Sequence, residues 1–199
     1  MPYPVSVTVE PQMTGRNRLT TALRPLLAIP HAILVGPVYF SRRTGTAGLL
    51  GAAAYLMAIV NWCTLLITGD EIRGIREFSL YYLRWRTRAL AYMALFADGY
   101  PPFGDGDYPA AIDVPDPPRP RDRVTIALRL LLAIPHFVLL FFLAIGWFVT
   151  TVLAWFAILF TGSYPASFCP FGISVMRWML RVEAYLLLLV DEYPPFALE

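Results

Sequence analysis

Residues 23–31 read LRPLLAIPH and residues 128–136 read LRLLLAIPH, an internal match with one difference in nine positions. The two copies are 105 residues apart here and 93 apart further along, where YPPF at 100–103 matches YPPF at 193–196. The second copy is therefore shorter than the first by twelve residues. A repeat of this length predicts two copies of one structural unit, related by a pseudo-two-fold axis.

The composition indicates a membrane protein. Hydrophobic residues make up 57% of the 199-residue chain and charged residues 15%, against about 25% charged residues in an average soluble domain. All 16 basic residues are arginine, and the formal net charge is only +2. We therefore predict a protein embedded in a lipid bilayer, with no nucleic-acid partner.

Long apolar runs predict four transmembrane helices. A helix of about 20 residues rises about 30 Å, which is the thickness of the hydrocarbon core of a bilayer. The predicted spans are about 19–40 and 48–68 in the first copy, and about 124–142 and 143–161 in the second. The first pair is joined by a turn at 41–46 and the second by a tight turn around Gly146. Gly69 and Gly162 are predicted to end the second span of each copy.

Each copy continues with an arginine-bearing helix, predicted at about 72–97 and about 171–190. The apolar stretches of these helices are too short to cross a membrane, and an arginine at the centre of a spanning helix costs about 2.5–3.5 kcal/mol. We therefore predict that both helices lie at headgroup level on the inner leaflet. A short strand or extended arm precedes the spans of each copy, at residues 5–9 and, more weakly, at 111–114.

The fold class predicted from these elements is an all-α integral membrane protein built from two tandem repeats. The first repeat covers residues 1–103, a connector at 104–123 includes the start of the second repeat, and residues 124–199 complete it. Arginines precede the first span of both copies, so the positive-inside tendency gives both copies the same orientation. We expect a multi-pass plasma-membrane protein with both termini on the cytoplasmic side.

Three motifs recur in this arrangement: R..LAIPH, TG.YP and RW..R...Y....D.YPPF. They resemble a bacterial membrane-protein family, common in actinobacteria, that is known only as the domain of unknown function DUF4389. The resemblance covers both halves and almost the whole chain, and the first half departs from it at 68–72, which read TGDEI. It implies the membrane fold with two tandem copies. It implies no established activity, although some members carry a lipase label.

The first candidate site is a polar stripe on the first helix of each copy. Arg24 and His31 are seven residues apart and share nearly one helix face, and Arg129 and His136 repeat this arrangement. The stripe is compatible with a proton or ion path, or with two imidazoles that hold a haem or a metal. The structural alternative is that Pro30 and its counterpart free a carbonyl for a neighbouring side chain, while the arginines extend to the inner interface.

The second candidate site is the arginine face of the third helix in each copy. Its residues are Arg84, Arg88 and Asp98 in the first copy and Arg177, Arg181 and Asp191 in the second. Arginines four residues apart line one face and suit anionic phospholipid headgroups, at about 1 kcal/mol for each cation. Alternatively, the first arginine of each set pairs with an aspartate of either copy and holds the helix to the following loop.

Catalytic motifs are not found in the sequence. It contains no G-x-S-x-G turn, P-loop, GxGxxG or HExxH motif, and the nearest segment, GISVM at 172–176, lacks the closing glycine. Cys63 and Cys169 form neither a CxxC metal motif nor a disulfide framework. We therefore predict no enzyme activity and no cofactor.

Aromatic-rich apolar surface on every predicted helix favours association as the function. The leading hypothesis is an accessory or scaffold subunit of a membrane complex, or a self-associating assembly. The alternative is a small transporter, channel or lipid-handling protein that uses the arginine–histidine stripes, and a third possibility is a haem- or metal-binding subunit. The expected partners are the bilayer, with its anionic headgroups, and other membrane subunits.

Overall fold

The computed structural model describes residues 3–37, 48–117 and 120–198. The described helices are α1 (Arg18–Leu27), α2 (Ile29–Val35), α3 (Gly48–Thr68), α4 (Arg73–Met93), α5 (Arg123–Thr161) and α6 (Cys169–Leu186). Two strands complete the described part of the chain, β1 (Ser6–Val9) and β2 (Ala110–Asp113). The protein is therefore mostly helical, as predicted, with one small sheet.

The first predicted span forms two short helices. α1 and α2 meet at Ala28, and Pro25 and Pro30 lie on either side of this junction. Neither proline supplies a backbone N–H, so the regular hydrogen bonding of the helix is interrupted at both positions. The predicted turn at 41–46 lies outside the described residues.

The predicted hairpin in the second copy is wrong. α5 runs from Arg123 to Thr161 as one helix of 39 residues, which corresponds to about 58 Å at 1.5 Å per residue. The twelve residues that the second copy lacks are those that separate α2 from α3 in the first, so no residues remain there to form a turn. A Cβ built on Gly146 would lie 3.3 Å from the ring of Phe171, so this glycine permits a close helix contact instead of a turn.

α3 and α5 are the two described helices that are long and apolar enough to cross a membrane. Four transmembrane helices, as predicted, are not supported, because α1 and α2 are only 10 and 7 residues long. The predicted stops are confirmed, since the chain leaves α3 at Gly69 and α5 at Gly162 with φ angles of +86° and +73°. Glycine adopts this left-handed conformation at little cost.

The two predicted interfacial helices form as α4 and α6, but their surroundings differ from the prediction. Every residue of α4 from 85 to 92 is buried, so this part of the helix has no polar face towards water or headgroups. The two helices are antiparallel: Arg76, near the start of α4, bonds the carbonyl of Leu189 beyond α6, while Phe96 beyond α4 lies against Gly172 of α6. They form the centre of the fold.

β1 and β2 form an antiparallel pair in which Val7 lies opposite Ile112. Both of these side chains are buried against the helices, whereas Ser6, Thr8 and Asp113 on the other face are exposed. The predicted strands are thus confirmed. The predicted connector, residues 104–123, contains β2 and is packed on α4 in its described part.

The N-terminal arm runs along the whole of α6. The Tyr3 hydroxyl donates to the carbonyl of Glu192 (3.3 Å), beyond the C-terminal end of α6. Further along, Arg177 in mid-helix donates to the carbonyl of Val7 (3.0 Å). The carbonyl of Met13 accepts from the N–H of residue 164, before the helix begins. β1 is therefore parallel to the axis of α6 and on its outer side.

Each repeat is also bonded to the first helix of the other repeat. Trp62 of α3 donates its indole N–H to the carbonyl of Ile126 in α5, at 2.8 Å. At the equivalent positions, Trp155 of α5 donates to the carbonyl of Thr21 in α1, also at 2.8 Å. The second of these acceptors is free because Pro25, four residues later, has no N–H to offer it. The two copies therefore pack against each other reciprocally.

Candidate functional site

Arg24 is a buried cation held by backbone carbonyls and one carboxylate. Its Nη1 donates to the carbonyls of Tyr92 (2.9 Å) and Ala97 (2.6 Å), and its Nη2 to Oδ1 of Asp98 (3.0 Å). The guanidinium lies 4.2 Å from the centre of the Tyr92 ring. Burial raises the pKa of the Tyr92 hydroxyl, so the ring beneath the cation is a neutral phenol.

Arg129 repeats three of these four contacts in the second repeat. It donates to the carbonyl of Tyr185 (2.6 Å) and to Oδ1 of Asp191 (2.9 Å), and its guanidinium lies 4.3 Å from the Tyr185 ring centre. Burial also raises the pKa of the Tyr185 hydroxyl. The stripe predicted from the sequence thus forms two equivalent arginine sites, each completed by the aspartate of the predicted second site.

A second arginine joins each aspartate. Arg16 bonds Asp98 (2.7 Å), and Arg121 bonds Asp191 (2.6 Å). Each of these arginines also donates to a leucine carbonyl, from Leu95 or the equivalent residue 188, and both leucines have φ angles near +65°. Such a backbone conformation is costly for leucine. It presents the carbonyl to the buried guanidinium in both repeats.

The predicted extension of Arg24 and Arg129 to the interface is wrong, because both side chains are turned inward and only 2% exposed. The aspartates explain this difference, since an ion pair with further hydrogen bonds can hold an arginine inside the protein. The sequence identified these cations but not their partners.

Each histidine accepts a hydrogen bond from a tryptophan of its own repeat. The indole N–H of Trp85 donates to Nδ1 of His31, and that of Trp178 donates to Nδ1 of His136, both at 3.0 Å. An Nδ1 that accepts a hydrogen bond carries no proton, so these contacts are made by the neutral form with its proton on Nε2.

The YPPF motifs cover the histidines. Phe103 is stacked on His31 at 4.7 Å between ring centres, and Phe196 is stacked on His136 at 4.2 Å. The tyrosine of each motif lies within 5 Å of the same imidazole. The described ring contacts of each histidine are thus made within its own repeat, and they do not bring the two imidazoles together.

Among the described residues, Asp98 is held by Arg16 and Arg24, and Asp191 by Arg121 and Arg129, instead of by Arg84 or Arg177 as one alternative had it. Arg84 is exposed, and Arg177 donates to the carbonyl of Val7. Arg88 is buried and donates to the carbonyls of residues 104 and 106, while Arg181 lies over the Tyr3 ring. These arginines do not form a common face for headgroups.

One buried ion pair was not predicted. Arg86 of α4 and Glu183 of α6 lie 2.6 Å apart, and the Tyr82 hydroxyl donates to the same carboxylate at 2.6 Å. The repeat-equivalent positions hold Met179 and Leu90. The signal in the sequence was that each of these charged residues aligns with an apolar residue of the other copy. The motifs shared by the two copies do not include these positions.

The family model for the domain of unknown function DUF4389 matches two segments of the chain, residues 45–104 and 123–197. The chain belongs to the DUF4389 family. The two matches correspond to the two copies of the internal repeat, as the sequence motifs implied. No curated protein and no solved structure matches the chain.

In the part of the chain that the structure describes, no group of three or more His, Cys, Asp or Glu side chains is placed to hold a metal ion. Cys63 is exposed, and Cys169 is buried in α6 as a free thiol. The chemistry that the described site offers is therefore that of buried, paired guanidinium groups and neutral imidazoles.

Proposed function

We propose that this DUF4389 protein is a non-enzymatic structural subunit that lies in one leaflet of the plasma membrane. We call this position in the membrane one-leaflet seating. The observation that carries this proposal is the contrast between its two sides. α3 and α5 expose many large apolar side chains, including Leu56, Ile67, Phe142 and Phe160. The opposite side carries the β1–β2 pair with its exposed polar residues.

The length of α5 favours a helix that lies in the membrane plane. Exposed apolar side chains continue from Val124 to Phe160, which corresponds to about 54 Å of helix. A hydrocarbon core is only about 30 Å thick. A helix parallel to the membrane surface immerses the whole of this apolar face, whereas an upright helix leaves nearly half of it in water or headgroups.

The arrangement of the strands supports the same orientation. β1 lies alongside α6 and runs in the opposite direction. β2 runs along α4 from Tyr108, which bonds Gly99 beyond that helix, to Pro115, which bonds Arg76 near its start. If these helices crossed the bilayer, the exposed polar face of the sheet would lie in hydrocarbon. Open sheet edges do not occur in lipid, because their backbone groups would stay unbonded there.

One-leaflet seating also reconciles the arginine distribution with a single cytoplasmic face. The clusters at Asp98 and Asp191 lie at opposite ends of α5. Arg18, close in the chain to the Asp98 cluster, lies next to Gly162 at the C-terminal end of α5. Arg123, close in the chain to the Asp191 cluster, begins α5 and lies next to Gly69. An upright α5 would place one cluster outside the cell. A helix in the membrane plane keeps both clusters on the cytoplasmic side, as the positive-inside tendency favours.

The contacts of the polar stripe favour a structural role over transport. Arg24 and Arg129 bond carbonyls and carboxylates, and His31 and His136 accept from tryptophans. A conducting path needs polar groups that exchange partners with a moving ion or proton. In proteoliposomes, we expect no solute or proton flux that depends on the two histidines. A flux abolished by His31→Ala with His136→Ala, with the fold intact, would establish the transport alternative.

Cysteine labelling tests one-leaflet seating. In a Cys63→Ser and Cys169→Ala background, Gly99→Cys and Glu192→Cys place single thiols at the equivalent exposed corners of the two repeats. A membrane-impermeant maleimide is expected to label both only after the cells are opened. Labelling of one corner from outside and the other from inside would show that the chain spans the membrane. As a control, Val149→Cys on the outer face of α5 should stay unlabelled until detergent is added.

Association is tested by purification in a mild detergent, followed by native mass spectrometry. A fixed stoichiometry with itself or with another membrane protein is expected for a structural subunit. A monomer that copurifies with no protein at a fixed ratio would contradict this role, whatever the outcome of the labelling experiment.

A further inference from the structure

Two cavities lie at equivalent positions of the two repeats. The first, of about 420 Å³, lies between α1, the end of α4 and the C-terminal half of α5. The second, of about 490 Å³, lies between α3, the N-terminal half of α5 and the end of α6. Both volumes fall in the range of small-molecule binding sites.

The same repeat positions line both cavities. The first is lined by Arg24, Met93, Leu95, Thr151, Val152 and Trp155. Their equivalents in the second are Arg129, Leu186, Leu188, Ala58, Ile59 and Trp62. Two cavities that recur with the repeat follow from the shared fold, because the same packing leaves the same space twice.

An arginine that lines each cavity has a buried donor without a partner. Nε of Arg24 and Nε of Arg129 are both enclosed by the protein, and neither has a hydrogen-bond partner among the described residues. Leaving a charged donor unbonded in this way costs free energy. An acceptor oxygen brought by a ligand would satisfy it once a small shift of the arginine side chain turns Nε towards the cavity, and the largely apolar lining suits a hydrocarbon chain.

Both cavities open on the apolar outer face. Phe148 and Phe156 line the first cavity and are themselves exposed, as are Leu130 and Phe137 at the second. A chain can therefore enter from the surface that we assign to the bilayer. Only this route of entry rests on one-leaflet seating, since binding in detergent solution does not require it.

The charges behind the two cavities differ. In the first repeat, Arg16 and Arg24 face a single carboxylate, Asp98, so one positive charge remains. In the second repeat, Arg121 and Arg129 face two carboxylates, Asp191 and Glu71. Arg76 also lies 4.0 Å from Glu71 and is paired with Asp116, so three arginines face three carboxylates. The position equivalent to Glu71 holds a tyrosine, residue 164. Only the first cavity thus has a net attraction for an anion.

We propose that the first cavity binds a long-chain fatty acid, with its carboxylate at Nε of Arg24 and its chain along α5. A carboxylate supplies both the missing acceptor and the missing negative charge. A cavity of about 420 Å³ has room for one hydrocarbon chain, which selects a fatty acid over a two-chain phospholipid. The second cavity accepts a hydrocarbon chain without a preference for negative charge.

Equilibrium binding of radiolabelled palmitate to the full chain in a nonionic detergent tests this proposal. We expect one tight palmitate site per chain, in which palmitate is bound at least tenfold more tightly than hexadecanol. Val152→Phe, which fills the first cavity, should weaken palmitate binding at least tenfold, and the matched variant Ile59→Phe should leave it unchanged. Both positions are exposed, so both variants should fold, which circular dichroism checks.

A gain of binding tests the charge argument. Glu71→Gln removes the extra carboxylate of the second repeat while Arg121 keeps Asp191. We expect a second palmitate to bind per chain, and Ile59→Phe added to Glu71→Gln should abolish it. Absence of palmitate binding, equal affinity for hexadecanol, equal effects of the two phenylalanine variants, or displacement of palmitate by equimolar phosphatidylglycerol would each overturn the proposal.

Discussion

Arg86 and Glu183 form a buried ion pair that joins α4 to α6, and the internal repeat does not contain it. The repeat-equivalent positions hold Met179 and Leu90, so α4 and α6 are joined by one such pair and not by two symmetry-related ones. Removal of one partner from a buried pair leaves an uncompensated charge, at a cost of about 3–5 kcal/mol.

This asymmetry gives the first prediction. Glu183→Leu should lower the free energy of unfolding by about 3–5 kcal/mol, measured by urea denaturation in a mild detergent. The double variant Arg86→Met with Glu183→Leu supplies the residues of the other repeat and removes both charges. It should be more stable than the Glu183→Leu variant. If the double variant lost as much free energy of unfolding as the two single variants together, the two charges would act independently.

The second prediction concerns the two aspartates. Asp98→Asn and Asp191→Asn should each destabilise the protein by up to about 3–5 kcal/mol, because each change leaves two buried arginines underbalanced. The loss should be larger for Asp98, since Arg121 in the second repeat keeps Glu71. Thermal unfolding followed by circular dichroism measures this difference. Asp113→Asn, at an exposed strand position, is the control and should stay within about 0.5 kcal/mol of the wild type.

The reciprocal tryptophans give the third prediction. Trp155→Phe leaves the Thr21 carbonyl without a donor, because Pro25 cannot supply one, and should cost about 1–3 kcal/mol. Trp62→Phe should cost less, since the Ile126 carbonyl can still accept the helical N–H of Leu130. Pro25→Leu supplies the backbone N–H that residue 25 lacks. Added to Trp155→Phe, it should recover part of the lost stability. Equal losses in the two single variants would contradict the role of the proline.

The fourth prediction tests whether α5 is continuous. Gly146→Ala adds a Cβ 3.3 Å from the ring of Phe171, which must shift by a few tenths of an ångström. The cost of this shift offsets the gain from replacing glycine inside a helix, which is about 0.5–1 kcal/mol. It should therefore leave the melting temperature nearly unchanged. Gly172→Ala is the control that should lower the melting temperature, because its Cβ would clash at 2.9 Å with Phe96 and with the Trp147 indole. A large loss at Gly146 alone would indicate a turn there.

Local signals in the sequence predicted the local structure. The glycines that end α3 and α5, the extent of α3 and the alternation in β1 are confirmed because each depends on a few neighbouring residues. The continuity of α5 was missed because Gly146 has two uses, a turn or a close contact, and only the position of Phe171 decides between them.

The candidate site shows the same limit. Helical spacing placed Arg24 and His31 on one face, which the structure confirms in that both turn inward. Spacing does not specify which helix lies opposite, so the partners Asp98 and Trp85 were not assigned to them. Contacts between elements far apart in the chain depend on the packing of the whole molecule, which no single helix encodes.

The N-terminal arm of each repeat lies on the other repeat. Tyr3 of the first copy bonds residue 192 of the second, and Tyr108 of the second bonds Gly99 of the first. A chain with one copy would carry both an arm and a receiving corner, but the arm would meet that corner in a second molecule. In such a chain these contacts form only in a homodimer with exchanged arms, and the tandem arrangement joins the two partners of that interface covalently.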